Sequence, residues 1–105
     1  MKQIHTYDEL QTFLQKNEKA LIYVMTTGCT VCHADYPKVK DIVANTHIPS
    51  IYLLADKIPE AAGQLSLFSS PVVILFNHEK EYHRQARILD FDMLKLRISQ
   101  LLQEY

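Results

Sequence analysis

Three short, unbroken apolar runs constrain this chain more than any other feature: Ala20–Met25, Ile51–Ala55 and Val72–Phe76. Each is partly β-branched, bounded by polar residues and too short to be a buried helix. Each reads as a central strand covered on both faces, as in a parallel sheet. The segments between them carry helical spacing. Thr6 and Glu9 fit a capping box, and Tyr7, Leu10, Phe13 and Leu14 share one face, which predicts a helix over 7–16. A short strand is expected over 2–5. A second helix is expected from near Cys29, with Tyr36, Val39, Ile42 and Val43 as its apolar stripe and Pro37 inside it. Asp56 is expected to cap a short helix with Pro59 in its first turn and Ala61, Ala62 and Leu65 facing inward.

The end of the chain changes pattern. Asn77–Lys80 reads as a turn. Glu81–Ile88 reads as a half-exposed antiparallel strand with Tyr82, Ala86 and Ile88 on its inner side. Asp90 is expected to cap a last helix buried through Phe91, Leu94, Ile98, Leu101, Leu102 and Tyr105. The order β-α-β-α-β-α-β-β-α predicts an α/β fold: a central mixed sheet with helices on both faces and an antiparallel edge. A chain of 105 residues is the size of one domain, so residues 1–105 are expected to form a single unit.

The chemistry sits at one junction. Cys29-Thr30-Val31-Cys32 follows a buried strand and opens a helix. A helix start offers unpaired N–H groups and the positive end of a dipole, which favour a thiolate over a thiol. Cys29 is expected to be the more exposed and more acidic sulfur. Cys32, one turn on, is positioned to close a ring with it. Two cysteines are too few for a disulfide framework, and a close pair points to redox or metal chemistry.

Here the sequence resembles the thioredoxin family through nearly its whole length. The element order agrees, and the C-x-x-C pair follows the second strand. Pro37 stands where that family has a helix-kinking proline. Ser70-Pro71-Val72 resembles the family's cis-proline segment, whose proline lies beside the cysteines and whose preceding residue meets an extended substrate. The resemblance therefore implies that Cys29 is the attacking thiol and Cys32 the resolving one. It puts Ser70 and Pro71 in the substrate-binding surface, together with Gly28, Thr30 and Val31 around the cysteines. It implies reduction of disulfides in cytoplasmic protein substrates, recycling by a reductase or other dithiol donor, and no organic cofactor or metal. The departures are specific. The family's aromatic stretch ending in tryptophan is Met25-Thr26-Thr27-Gly28 here. Thr30-Val31 replaces the common Gly-Pro. Tyr23 stands at the position of a buried aspartate, and Tyr52 at that of a lysine often paired with it.

Two rivals stand beside this reading. One is a binding module that keeps the fold with little redox turnover. The other is a metal or haem site through Cys29, Cys32 and His33, since Cys29–His33 matches C-x-x-C-H and two thiolates plus an imidazole give three ligands. His5, His47, His78 and His83 are scattered and expected at the surface. Arg87 and Ile88 fall near a loop that lines the family's groove, where an arginine would favour acidic partners. The formal charge of −1 offers no basic face for nucleic acid. No apolar stretch follows the N-terminal Met1-Lys2, and Ala20–Met25 is too short to cross a bilayer, so the expectation is a cytoplasmic monomer without membrane contact.

Overall fold

The computed structural model describes residues 1–104. Its elements are β1 (Lys2–Gln3), α1 (Tyr7–Lys16), β2 (Lys19–Met25), α2 (Thr30–Thr46), β3 (Ser50–Leu54), a 3-10 turn (Ala55–Lys57), α3 (Pro59–Gln64), β4 (Val72–Asn77), β5 (Lys80–Ala86) and α4 (Phe91–Leu102). The strands form one five-stranded sheet in the order β1-β3-β2-β4-β5. β1, β3 and β2 run parallel, and β4 and β5 each pair antiparallel to their neighbour.

The apolar runs are central strands because both faces are covered. Along β2, Ala20, Ile22 and Val24 pack with Ile51, Leu53, Val72 and Ile74 beneath α1 and α3. The alternate residues Leu21, Tyr23 and Met25 pack with Val73, Leu75, Val39, Leu94 and Ile98 beneath α2 and α4. The period of two in a strand sends successive side chains into opposite cores, so a run covered on both sides must be apolar throughout. Helices begin where their caps are. The Thr6 hydroxyl accepts from the Glu9 N–H, and the Glu9 carboxylate reaches back to the Thr6 hydroxyl and to the N–H of His5, one residue before the cap, in a variant of the capping box. Asp90 accepts from the Met93 N–H at the start of α4.

Four expectations differ in detail. Asp56 does not cap α3, whose first residue follows Ile58. Its carboxylate turns instead to the Thr27 N–H, and Pro59 starts the helix without a side-chain cap. In β5, only Tyr82 of the three expected inward residues is partly buried; Ala86 is exposed and Ile88 lies beyond the strand. The physical reason is a bulge. Leu75 pairs with His83 and Phe76 with Glu81, so Tyr82 is an extra residue that resets the alternation. Arg87 then turns left-handed at φ 73°, and Leu89 takes the inward place. On α4, Leu94, Ile98 and Leu101 are buried, but Leu102 is 43% exposed as the helix ends. Tyr105 lies outside the described residues.

Candidate active site

The sheet topology assembles this site. Because β4 is antiparallel to β2, the start of β4 lies beside the end of β2, with Val24 opposite Val72. The segments just beyond them, Thr26–Cys29 and Phe68–Pro71, therefore meet. The end of β5 arrives next to them, Ala86 opposite Val72, and the end of β3 delivers the turn that holds Asp56. Four loops converge at one end of the sheet, outside the carboxyl end of a central parallel strand.

Cys29 is the N-cap of α2. Its backbone is extended (φ −77°, ψ 103°), and its sulfur accepts from the Cys32 N–H at 3.2 Å. Cys29 and Cys32 are joined as a disulfide, with Cα atoms 5.3 Å apart. Cys29 is half-buried, whereas Cys32 is 0% exposed among Tyr23, Met25, Val39 and Val73. The outer sulfur sits at the electropositive helix start and the inner one in an apolar core.

Gly28 precedes the pair at φ 77°, a left-handed conformation that side chains with a Cβ adopt at a cost. Thr30 and Val31 form the exposed first turn of α2, Val31 being 54% exposed. The Ser70–Pro71 peptide bond is cis. Ser70 is tied to the strand end by a 2.9 Å contact between its hydroxyl and that of Thr26. The Pro71 carbonyl accepts from the Arg87 N–H at 2.7 Å, which fixes the last loop against this segment. All seven residues singled out in the sequence thus lie around one end of the sheet. Another cleft, of about 390 Å³ between α1 and β1, contains none of them.

Four features were not read from the sequence. The Tyr23 hydroxyl donates to the Cys32 carbonyl at 2.7 Å, bracing the turn that carries the inner sulfur. Burial, with the Asp35 charge as a smaller cause, pushes the Tyr23 phenol well above its ordinary range, so it stays a hydrogen-bond donor and not a base. Tyr36 packs between the rings of Tyr23 and Tyr52, at centroid distances of 6.2 and 5.4 Å. Asp56 accepts from the Thr27 N–H at 2.9 Å, and hydrogen bonding from Thr27, by its side chain first and its N–H second, holds the carboxyl below the usual range. Phe68, three residues before Pro71, stands 86% exposed. A signal for it was present: an aromatic residue in a loop beside the expected site. His33 is exposed on α2, and no group of three or more His, Cys, Asp or Glu is placed to hold a metal among the described residues.

His83, expected at the surface, is partly buried, and burial followed by the nearby Arg97 charge lowers its pKa. Gln85 explains the geometry. Its carbonyl accepts from the Asp90 N–H at 2.7 Å, which leaves its amide nitrogen to face His83 Nε2 at 3.0 Å. That contact needs an unprotonated ring nitrogen. Because the folded pKa is depressed, the folded state binds less proton than the unfolded one, whose value is about 6.5. Stability is full above that value and falls as pH drops through it toward the lower folded value. The expected result is a proton-detected His83 titration below the ordinary imidazole value of about 6.5, and an early acid loss of stability that His83→Gln reduces.

No protein-family model matches the chain. Among curated proteins, the thioredoxin-like protein YdfQ of Bacillus subtilis (strain 168) is 31% identical over 108 residues, spanning 100% of this chain and 95% of that one. A thioredoxin variant from Halobacterium salinarum NRC-1 superposes with a TM-score of 0.89 at 18% identity, covering 99% of this chain and 92% of the other. Plasmodium falciparum thioredoxin gives 0.86 at 15% identity, covering 95% and 98%. The structural matches carry the fold, and the full-length sequence match carries the lineage. Together with the disulfide at the start of α2 they support thiol–disulfide oxidoreductase chemistry, and this chain belongs to the thioredoxin family.

Proposed function

We propose that the protein reduces disulfides in cytoplasmic protein substrates, with Cys29 as nucleophile and Cys32 as resolving thiol. The observation that carries this reading is the asymmetric pair: an accessible sulfur that accepts a helix-start N–H, bonded to a buried one. In the reduced protein, Cys29 thiolate attacks a substrate sulfur lying against Gly28, Thr30, Val31, Ser70 and Pro71. One substrate thiolate leaves and a mixed disulfide forms. Cys32 then loses its proton and attacks Cys29, the mixed disulfide breaks, and the second substrate thiolate leaves. Two electrons have passed from the dithiol to the substrate, and the product is the Cys29–Cys32 disulfide seen here. An external dithiol, supplied by a reductase, resets it. The chain works as a single domain and a monomer in this reading.

The test is equilibration across a glutathione redox series, with alkylation and mass spectrometry counting free thiols. One reversible two-electron transition confined to Cys29 and Cys32 is the expected result, with a midpoint near those of reductants. Each ~30 mV of midpoint is tenfold in the equilibrium. If both thiols stay free at every poise, turnover is not the function and a binding module takes its place.

A further inference from the structure

Beside the redox pair lies a recess of about 330 Å³, bordered by Ala55, Asp56, Ala62, Leu67, Phe68 and Ser70. Ser70, on its border, is one of the residues the proposed function gives to substrate. We infer that this recess takes a lysine or arginine side chain flanking the substrate cysteine, so that the protein prefers disulfides in a basic sequence context. This rests on the reduction reading above and names its substrate class.

The chemistry of the walls decides the occupant. Ala55, Ala62 and Leu67 give an apolar lining, which suits the methylene stem of a long basic side chain. Asp56 supplies a full negative charge in ordinary buffers. Its Oδ1 is held by the Thr27 N–H, so the carboxylate is fixed in place before any ligand arrives. Among the described residues it has no ion-pair partner, since the one salt bridge there joins Arg84 to Glu81. Lys57, next in sequence, acts on Asp56 through its charge but does not border the recess. Phe68 adds a ring that is almost wholly in water. An exposed aromatic ring beside a fixed carboxylate attracts a cation through both its face and the neighbouring charge. A neutral apolar side chain would use the lining but leave Asp56 unanswered, and an acidic one would be repelled.

The Thr26 and Ser70 hydroxyls, which also line the recess, are turned to one another. On the other side of Pro71 stand Arg87 and Ile88, both exposed. Arg87 would favour acidic substrate groups, so the two sides of the groove make opposite demands and the experiment separates them.

The reduced protein is mixed with peptides that each carry one cysteine as a mixed disulfide with thionitrobenzoate, with Lys, Gln or Glu next to that cysteine on either side. Release of thionitrobenzoate gives the rate. The expected order is Lys, then Gln, then Glu, with a Lys-to-Glu rate ratio of about tenfold at low salt that shrinks as salt rises. Asp56→Asn keeps an oxygen for the Thr27 N–H and removes the charge, so the ratio should fall toward one. Phe68→Ala, at an exposed position, should lower it part of the way. Equal rates for the three peptides overturn the inference, as does a ratio unchanged in Asp56→Asn, or the reverse order, which would put Arg87 in control. A small neutral disulfide run alongside separates the failures. No exchange with any disulfide overturns the redox reading and this inference with it; exchange without charge order overturns the recess alone.

Discussion

In a Cys32→Ser variant the first exchange should proceed and the second should not, so substrate is expected to stay covalently attached to Cys29. In Cys29→Ser, exchange falls by on the order of 10³-fold or more, because the remaining thiol is not a substitute nucleophile. The difference follows from where the two sulfurs sit. Cys29 is reachable and caps α2, where it accepts the Cys32 N–H. Cys32 is 0% exposed, is enclosed by apolar side chains, and has only the Tyr23 hydroxyl braced against its own carbonyl. A buried thiol is poorly ionised and cannot meet a protein disulfide. Mass spectrometry under non-reducing conditions checks both halves: an accumulating adduct on Cys32→Ser and none on Cys29→Ser. An adduct of comparable yield on Cys29→Ser would reverse the assigned roles. The same surroundings predict the pH dependence of resolution in the natural protein. Because Cys32 lies buried among apolar side chains, release of the reduced substrate should quicken as pH rises toward and above the ordinary thiol range.

The parts of the fold that sequence revealed are those where one physical demand dominates. Ala20–Met25 must be apolar at every position because β2 feeds two cores, and that pattern has few other readings. Thr6 and Glu9 announce α1 because an N-cap needs a short polar side chain at a fixed distance from its partner. Cys29 was legible because thiolate chemistry and a helix start favour the same position. The turn over Asn77–Lys80 was legible even though His78 and Glu79 are left-handed without glycine. The misreadings have other causes, and on β5 the chain changes course at Arg87, again left-handed with no glycine to mark it. The bulge at Tyr82 has no sequence mark at all, so the inner face assigned to Ala86 and Ile88 was one residue out of phase. Asp56 carries both a capping signal and a tertiary partner, and the tertiary partner won. Phe68 and Asp56 lie in separate loops, and only the sheet order brings them to one recess.

Tyr23→Ala should cost about 4 kcal/mol of folding stability, the largest loss expected from a single change near the site. Tyr23 lies on β2 between β3 and β4, is 0% exposed and packs against Tyr36. Removing its ring leaves a cavity under the first turn of α2 and takes the donor from the buried Cys32 carbonyl. Domains of this size are stable by roughly 5–15 kcal/mol, so the variant should be partly unfolded or close to it. Tyr23→Phe separates packing from hydrogen bonding. It keeps the ring and loses one buried bond, at a cost of about 1–2 kcal/mol. Urea unfolding of the oxidised proteins measures both. The phenylalanine variant also tests the direction of the Tyr23 shift. Burial raises the folded pKa above the unfolded value of about 10, so the folded state holds its proton more tightly. That contribution is fully present below the unfolded value and is lost as pH rises beyond it. The natural protein should therefore lose stability more steeply than Tyr23→Phe on passing above about pH 10. Equal alkaline slopes would mean that the phenol ionises as freely in the folded chain as in the unfolded one. The Tyr23 hydroxyl would then not be the brace that holds Cys32 beneath Cys29.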